Sequence, residues 1–419
     1  MLAPGAGAAQ LARMWLSDPA RSLAMRLLAP GAPLDPARLA DVTSDEWSAI
    51  AARFVEHRVA PLAHWCAQQR GDLNCIPEPV ATEWLAERQA HTLRSLHLQR
   101  QLTRIARLFD DAGHEWVALK GAHLAFFAYP EPALRPMRDL DFAFRSTHAA
   151  VDGWNALRTL GFSLLHPFDG DPIALLAERH QLPTLISPDE EVAVEIQHRL
   201  FHHGTRDPAF EPHFWSDVVE EQLLDTRLRL CGADWLALHI TVHGVRDHRF
   251  DSGPNVVADI AMLARAGQLA TDRVAALARA WGAGEEWALL ERLREVQWNP
   301  DAAPEQTTDI RDAWTLMLAP PDDVVAARRR SRRRVAGRRG MAAKLFPSRQ
   351  LLEGRYGKTG SLGLAGHFVR HHFHMAFNRL PALAVDRSAP AVEKAMQRLD
   401  ARLQRMTDDH SADREENRH

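Results

Sequence analysis

The chain has 419 residues, 46% hydrophobic and 25% charged, with a formal net charge of −3. This is a globular composition that excludes a wholly disordered chain, and the length predicts two to three compact units. Near-zero net charge predicts neither nucleic acid nor an anionic membrane as a partner, and three cysteines without a CxxC pair exclude both a disulfide scaffold and a cysteine-type zinc site.

A reducing cytoplasm is therefore the expected compartment. The N-terminal MLAPGAGAAQLARMW lacks the basic-then-apolar build of a secretory signal, and no apolar run reaches ~18 residues, so no membrane span is expected.

Residues 36–112 read as helical. Trp47, Val55, Val59 and Leu62 mark one amphipathic helix. Leu98, Leu102, Ile105 and Leu108 mark another, stopping near Gly113. The pattern changes at residue 115, where the apolar EWVAL (115–119) reads as a strand followed by Lys120-Gly121. AHLAFFAY (122–129) reads as a helix ending at Pro130, and PEPALRPMR (130–138) as a loop. DLDFAFR (139–145) alternates like a strand, and 147–161 forms a helix with Thr147 as cap and Gly161 as stop. FSLL (162–165), PTLIS (183–187) and VAVEIQH (192–198) are further strands, the last two joined by Pro188-Asp189-Glu190.

From 206 to about 318 the chain reads helical again. One helix opens at Ala233-Asp234 and carries Leu236, Ile240 and His243; others cover 256–267 and 272–296. The basic ARRRSRRRVAGRR (327–339) interrupts, helical signal resumes over 361–404, and the polar tail from Thr407 is expected to fray. The expected organisation is an N-terminal helical region (1–112), an α/β core (113–205), a helical domain (206–326), a basic linker (327–345), a C-terminal helical region (346–405) and a tail (406–419). The fold class is α+β, a small mixed sheet embedded in helical regions.

Lys120 to Arg145 carries the chemistry. On a strand, Asp139 and Asp141 project to one face while Leu140 and Phe142 take the other. Two carboxylates that close call for a cation between them, and Mg²⁺ suits because it binds oxygen and keeps sites for substrate phosphates. A glycine at a strand–helix junction lets phosphate approach the backbone, and a helix N-terminus offers free N–H groups. Lys120 adds a cation, and Arg135 and Arg138 are placed to grip phosphate oxygens. Glu195, between Val194 and Ile196 and on the face of Gln197, fits as the third carboxylate of a two-metal site.

LKGAHLAFFAYPEPALRPMRDLDFAF resembles the signature of the uncharacterised nucleotidyltransferase family within the DNA polymerase β-like superfamily. The shared features are Lys120-Gly121, Tyr129-Pro130, and Arg135-Pro136 ahead of Asp139 and Asp141. VEIQHRL (194–200) resembles the family's later strand, with Glu195 where an aspartate is usual and Gln197 where a histidine is usual. Gly121-Ala122 stands at the superfamily's Gly-Gly or Gly-Ser pair. HRVAPLAHW (57–65), DWLALHITVHGVRD (234–247) with VVADIAML (256–263), and LFPSRQLLEGRYG (345–357) resemble its flanking regions.

The resemblance implies a polymerase β-like nucleotidyltransferase core and transfer of a nucleotidyl group from an NTP co-substrate. Asp139 and Asp141 would hold two Mg²⁺ ions, Glu195 would share one or take the acceptor's proton, and Lys120, Gly121, Arg135 and Arg138 would position phosphates. The acceptor is an unidentified hydroxyl or phosphate on a small molecule, sugar or peptide. Two alternatives stand beside this: a module of the same fold that binds nucleotide or a partner without catalysis, and a toxin-type enzyme acting on tRNA.

Competing sites are weaker. His239 and His243 share a helix face, but HITVH lacks the glutamate of HExxH; with Asp259 they form at most a second polar cluster, and packing is the favoured role. His198, His202 and His203, and His371, His372 and His374, lack other ligand types. The arginines from Arg328 to Arg339 are the one route to nucleic acid, but no aromatics interleave to stack on bases.

Overall fold

The computed structural model describes residues 16–298 except 32, 33, 36, 38, 40 and 202–206, then 307–331, 349, 352, 360, 363–370 and 389–416. Four helices come first: α1 (Asp18–Leu27), α2 (Ser44–Glu56), α3 (Ala60–Arg70) and α4 (Glu78–Asp111). Each has a local cause. Ser17 caps α1, Thr43 and Glu46 form a capping box on α2, and Gly71 stops α3 in the left-handed conformation. The 34-residue α4 serves two cores. Its first half buries Val80 and Trp84 among the other helices, and its second half buries Leu98, Leu102, Ile105 and Phe109 against the sheet.

The sheet has seven strands in the order β3-β4-β5-β2-β1-β7-β6. They are β1 (Trp116–Ala118), β2 (Asp139–Phe144), β3 (Ser163–Leu164), β4 (Leu185–Ile186), β5 (Ala193–Gln197), β6 (Val219–Leu223) and β7 (Thr226–Leu230). β2 runs parallel to β5 and β1 parallel to β7; the other pairs are antiparallel. The alternation along each strand assigns the faces. Trp116, Ala118, Leu140, Phe142, Phe144, Val194 and Ile196 pack with the end of α4 and with α6 (Thr147–Thr159), where Phe109 makes edge contacts with Trp116, Phe142 and Phe144. Val117, Leu119 and Ala143 face a second core, which the N-terminal helices share with helices from 233 onward. The helices before and after the sheet thus bury their apolar faces together.

Several expectations are corrected. The stretch from 206 is not wholly helical: β6 and β7 form a hairpin that extends the sheet. Its signal is the alternation Thr226, Leu228, Leu230 inward against Arg227 and Arg229 outward. The helix 122–129 starts at Lys120, is α-helical only over α5 (Lys120–His123), and widens to a π turn over Leu124–Ala128. Ser146 caps α6, its side chain accepting from the Ala149 N–H, so Thr147 is the first helical residue.

After α7 (Pro172–Glu178), α8 (Pro212–Ser216), α9 (Ala233–Thr241) and α10 (Asn255–Arg265), the expected helix 272–296 is two: α11 (Thr271–Ala280) and α12 (Gly284–Trp298), broken where Gly282 turns left-handed. α13 (Thr308–Met317) follows. The tail does not fray at 407, because the helix Pro390–Glu416 meets no glycine or proline and runs through it. No helix among the described residues is long and apolar enough to cross a membrane.

Arg328 and Arg330 pair with Asp251 and Glu393 of the protein itself. Residues 332–339 of the arginine run lie outside the described residues, as do His202, His203, His371, His372, His374 and all of the 345–357 segment except Arg349 and Leu352.

Candidate active site

Asp139 and Asp141 occupy alternate positions on β2, opposite in facing to the buried Leu140 and Phe142. In the parallel pair β2/β5, Asp141 is directly opposite Glu195 and Asp139 opposite Ala193, so the three acids share one face of the sheet. Asp141 is 4% exposed, Glu195 is half-buried and accepts from Thr184 Oγ1 at 3.3 Å, and Asp139 is exposed. Lys120 enters from the end of β1, with φ +42° and its Nζ 2.9 Å from Asp141 Oδ1. Burial pushes the Asp141 carboxyl up to about 7; Lys120 pulls it down, and Asp139 and Glu195 push it up again. Asp141 and its negative neighbours hold the Lys120 ammonium charged against the opposing effect of burial.

One ammonium thus binds Asp141 and lies within electrostatic reach of Glu195 and Asp139. The donor set is entirely oxygen and short of positive charge, which fits a hard divalent cation such as Mg²⁺. Among the described residues no group of three His, Cys, Asp or Glu is placed to hold a metal ion, and Lys120 occupies Asp141.

Two residues expected on phosphate are committed elsewhere. Arg135 donates from Nε and Nη2 to the two carboxylate oxygens of Asp259 at 2.7 and 2.9 Å, and the Tyr129 hydroxyl donates to the same carboxylate at 2.8 Å. Arg135 is thus a clamp between the loop before Asp139 and α10, and Asp259 raises its basicity against burial. Burial and Asp259 together keep the Tyr129 phenol protonated. At Gly121 the space expected for a phosphate holds Met137 instead: a Cβ on Gly121 would lie 2.5 Å from Met137 Sδ. Four α-helical residues are also too few to build much of a helix dipole.

The same loop is tied to the N-terminal helices. Arg88 of α4 binds Glu131 through Nη2 at 2.7 and 2.9 Å and also reaches Gln68 of α3 at 2.9 Å. Arg94 donates to the carbonyls of Met137 and Glu191 at 3.3 and 2.9 Å. Arg58, at the end of α2, lies within electrostatic reach of Arg138, Asp139, Arg135 and Arg94. Burial and these guanidiniums bring it down to about 10, while Asp139 opposes them. Burial, then Arg94, Arg58 and Arg138, bring His91 down to about 4. Sequence reasoning named Arg138 but missed Arg58 and Arg94, since helices give no signal of which loop they will face.

A model of an uncharacterised nucleotidyltransferase family matches residues 43–295, more than half of the chain. The chain belongs to this nucleotidyltransferase family. No match was found among curated proteins. The family match begins at the N-cap of α2, so the turn after α2 that carries Arg58 and the helix that carries Arg94 fall within it along with the sheet.

The histidines of this family member do not form the second cluster. His239 and His243 stack on each other with ring centroids 5.7 Å apart, and Asp259, the expected third member, gives both oxygens to Arg135 and Tyr129. A cavity of about 430 Å³ opens near α5, lined by His123, Phe127, Asp217, Trp235, Gln268 and Arg273 among others.

Proposed function

We propose that the protein is a Mg²⁺-dependent enzyme that moves a nucleotidyl group from an NTP, ATP among the candidates, to a hydroxyl or phosphate of a small molecule, sugar or peptide. The observation that carries this is the shared face of Asp139, Asp141 and Glu195 with the Lys120 ammonium against Asp141. In the reaction an acceptor oxygen bonds to the α-phosphorus, the α–β bridging bond breaks, and pyrophosphate leaves. Mg²⁺ held by Asp139, Asp141 and Glu195 would neutralise triphosphate charge and acidify the acceptor hydroxyl.

The chain's own residues do the rest. Lys120 favours the ionised Asp141 that an oxygen ligand must be, against the burial that disfavours it. Glu195, half-buried beside it, shares one ion or takes the acceptor proton. Arg138, exposed and without an ion pair among the described residues, meets a phosphate oxygen next to Asp139. The free thiols Cys66, Cys75 and Cys231 accord with the cytoplasm as its compartment.

The test is incubation with labelled NTPs, Mg²⁺ and lysate. The wild type yields a labelled product, whereas Asp139→Asn with Asp141→Asn abolishes it and leaves the melting temperature near that of the wild type. Undiminished labelling in that double variant would remove the proposal. The second reading, a binding module without catalysis, is favoured by one observation: Lys120 already supplies a cation to Asp141. Calorimetry showing tight partner binding, with no NTP consumed across many acceptors, would select it.

A further inference from the structure

Arg58 occupies a position where glycine is usual. It follows α2 at the left-handed residue of a helix stop, with φ +58°. Its N–H returns to the Val55 carbonyl at 3.0 Å and the Val59 N–H to the Phe54 carbonyl at 2.8 Å. A side chain here carries a backbone cost that glycine avoids, and such costs collect where the side chain is used.

The turn is held from outside. His57 Nε2 donates to the Ala319 carbonyl at 2.9 Å, Asn255 Nδ2 donates to the His57 carbonyl at 2.8 Å, and Gly253 lies so close that a Cβ would be 2.3 Å from His57 Nδ1.

The guanidinium this turn presents is half-buried, and among the described residues it makes no side-chain hydrogen bond or ion pair. Its charged neighbours are Arg138, Asp139, Arg135 and Arg94. Arg135 is neutralised by Asp259. Arg94 spends its N–H groups on two backbone carbonyls, which leave its charge uncancelled. Arg138 has no ion pair among the described residues. Arg58 thus lies within electrostatic reach of Asp139 and of two guanidiniums without a carboxylate partner, Arg138 next to Asp139 in the chain and Arg94 bonded to the Met137 carbonyl, on elements that the family match covers. Like charges gathered this way repel, an anion of higher charge than the single Asp139 carboxylate would relieve that repulsion, and fork-shaped donors suit phosphate.

We propose that Arg58, with Arg94 and Arg138, forms the site for the polyphosphate tail of the NTP, so that the N-terminal helices complete the active site. The proposal rests on the nucleotidyl-transfer reading and adds to it a subsite outside the sheet.

The test measures calorimetric affinity for two probes, inorganic tripolyphosphate without Mg²⁺ and ATP with Mg²⁺, in wild type, Arg58→Gln, Arg58→Gly and Arg58→Lys. The wild type binds both. Arg58→Gln and Arg58→Gly weaken both by about tenfold or more, and Arg58→Lys weakens them less. Arg58→Gly melts no lower than the wild type, because glycine removes the left-handed cost. Affinities unchanged in the Gln and Gly variants, with ATP still bound, would overturn the Arg58 site and leave nucleotidyl transfer standing. A wild type that binds neither probe would overturn both. An Arg58→Gly that melts far lower with unchanged affinity would make Arg58 purely structural.

Discussion

Removing the Asp259 carboxylate separates a clamp from a casual surface pair. In Asp259→Ala the Arg135 guanidinium loses both of its bonds to that carboxylate and the Tyr129 hydroxyl loses its acceptor. Breaking a buried pair by deleting one partner costs about 3–5 kcal/mol, and a stranded hydroxyl adds about 1. The Arg135 side chain is 19% exposed, so water reaches part of it and the lower end applies; about 4 kcal/mol is expected in all.

Urea unfolding followed by tryptophan fluorescence reads this directly. The decisive control is Tyr129→Phe, Arg135→Met and Asp259→Leu together. Replacing a buried ionic group by apolar side chains of similar volume is close to neutral, so this triple variant recovers to within about 1–2 kcal/mol of the wild type. The loop that Arg135 anchors leads straight into Asp139, so Asp259→Ala also raises KM for NTP several-fold. An Asp259→Ala within about 1 kcal/mol of the wild type, or a triple variant no more stable than the single, would refute the buried-clamp account.

His57 makes stability depend on pH. Burial depresses its ring to about 4, and the neutral form donates to Ala319. A depressed folded value means this contribution is complete above about pH 6.5 and is lost as pH falls through 4, worth up to about 3 kcal/mol. Urea midpoints at pH 7, 5.5 and 4.5 should fall more steeply in the wild type than in His57→Gln; parallel slopes would remove His57 as the cause.

Gly121→Ala and Gly244→Ala should differ. Each Cβ would lie 2.5 Å from a neighbour, but Met137 can swing its thioether away whereas the branched Val256 cannot. Losses of about 1 and about 3 kcal/mol are expected, with Met137→Ala rescuing Gly121→Ala, and equal losses would contradict the packing account.

What the sequence determined by itself was local and periodic. The alternation of Asp139, Leu140, Asp141 and Phe142 fixes the facing of two carboxylates, because side-chain direction on a strand has period two. The same period placed Glu195 against Val194 and Ile196, and the helix period found the buried stripe of α4 from Leu98 onward. The Lys120-to-Asp141 signature was enough to point to the family, which the match over 43–295 shows.

Tertiary structure alone decided which distant groups meet. Arg135 and Asp259 are 124 residues apart, and nothing in either segment says that the guanidinium spends itself on a helix rather than on a substrate. Register made Asp141 the neighbour of Glu195, packing gave the room at Gly121 to Met137, and the end of α2 put Arg58 within electrostatic reach of Asp139. Chain order carries no information about such pairings, because they depend on how the two apolar cores bring distant segments together.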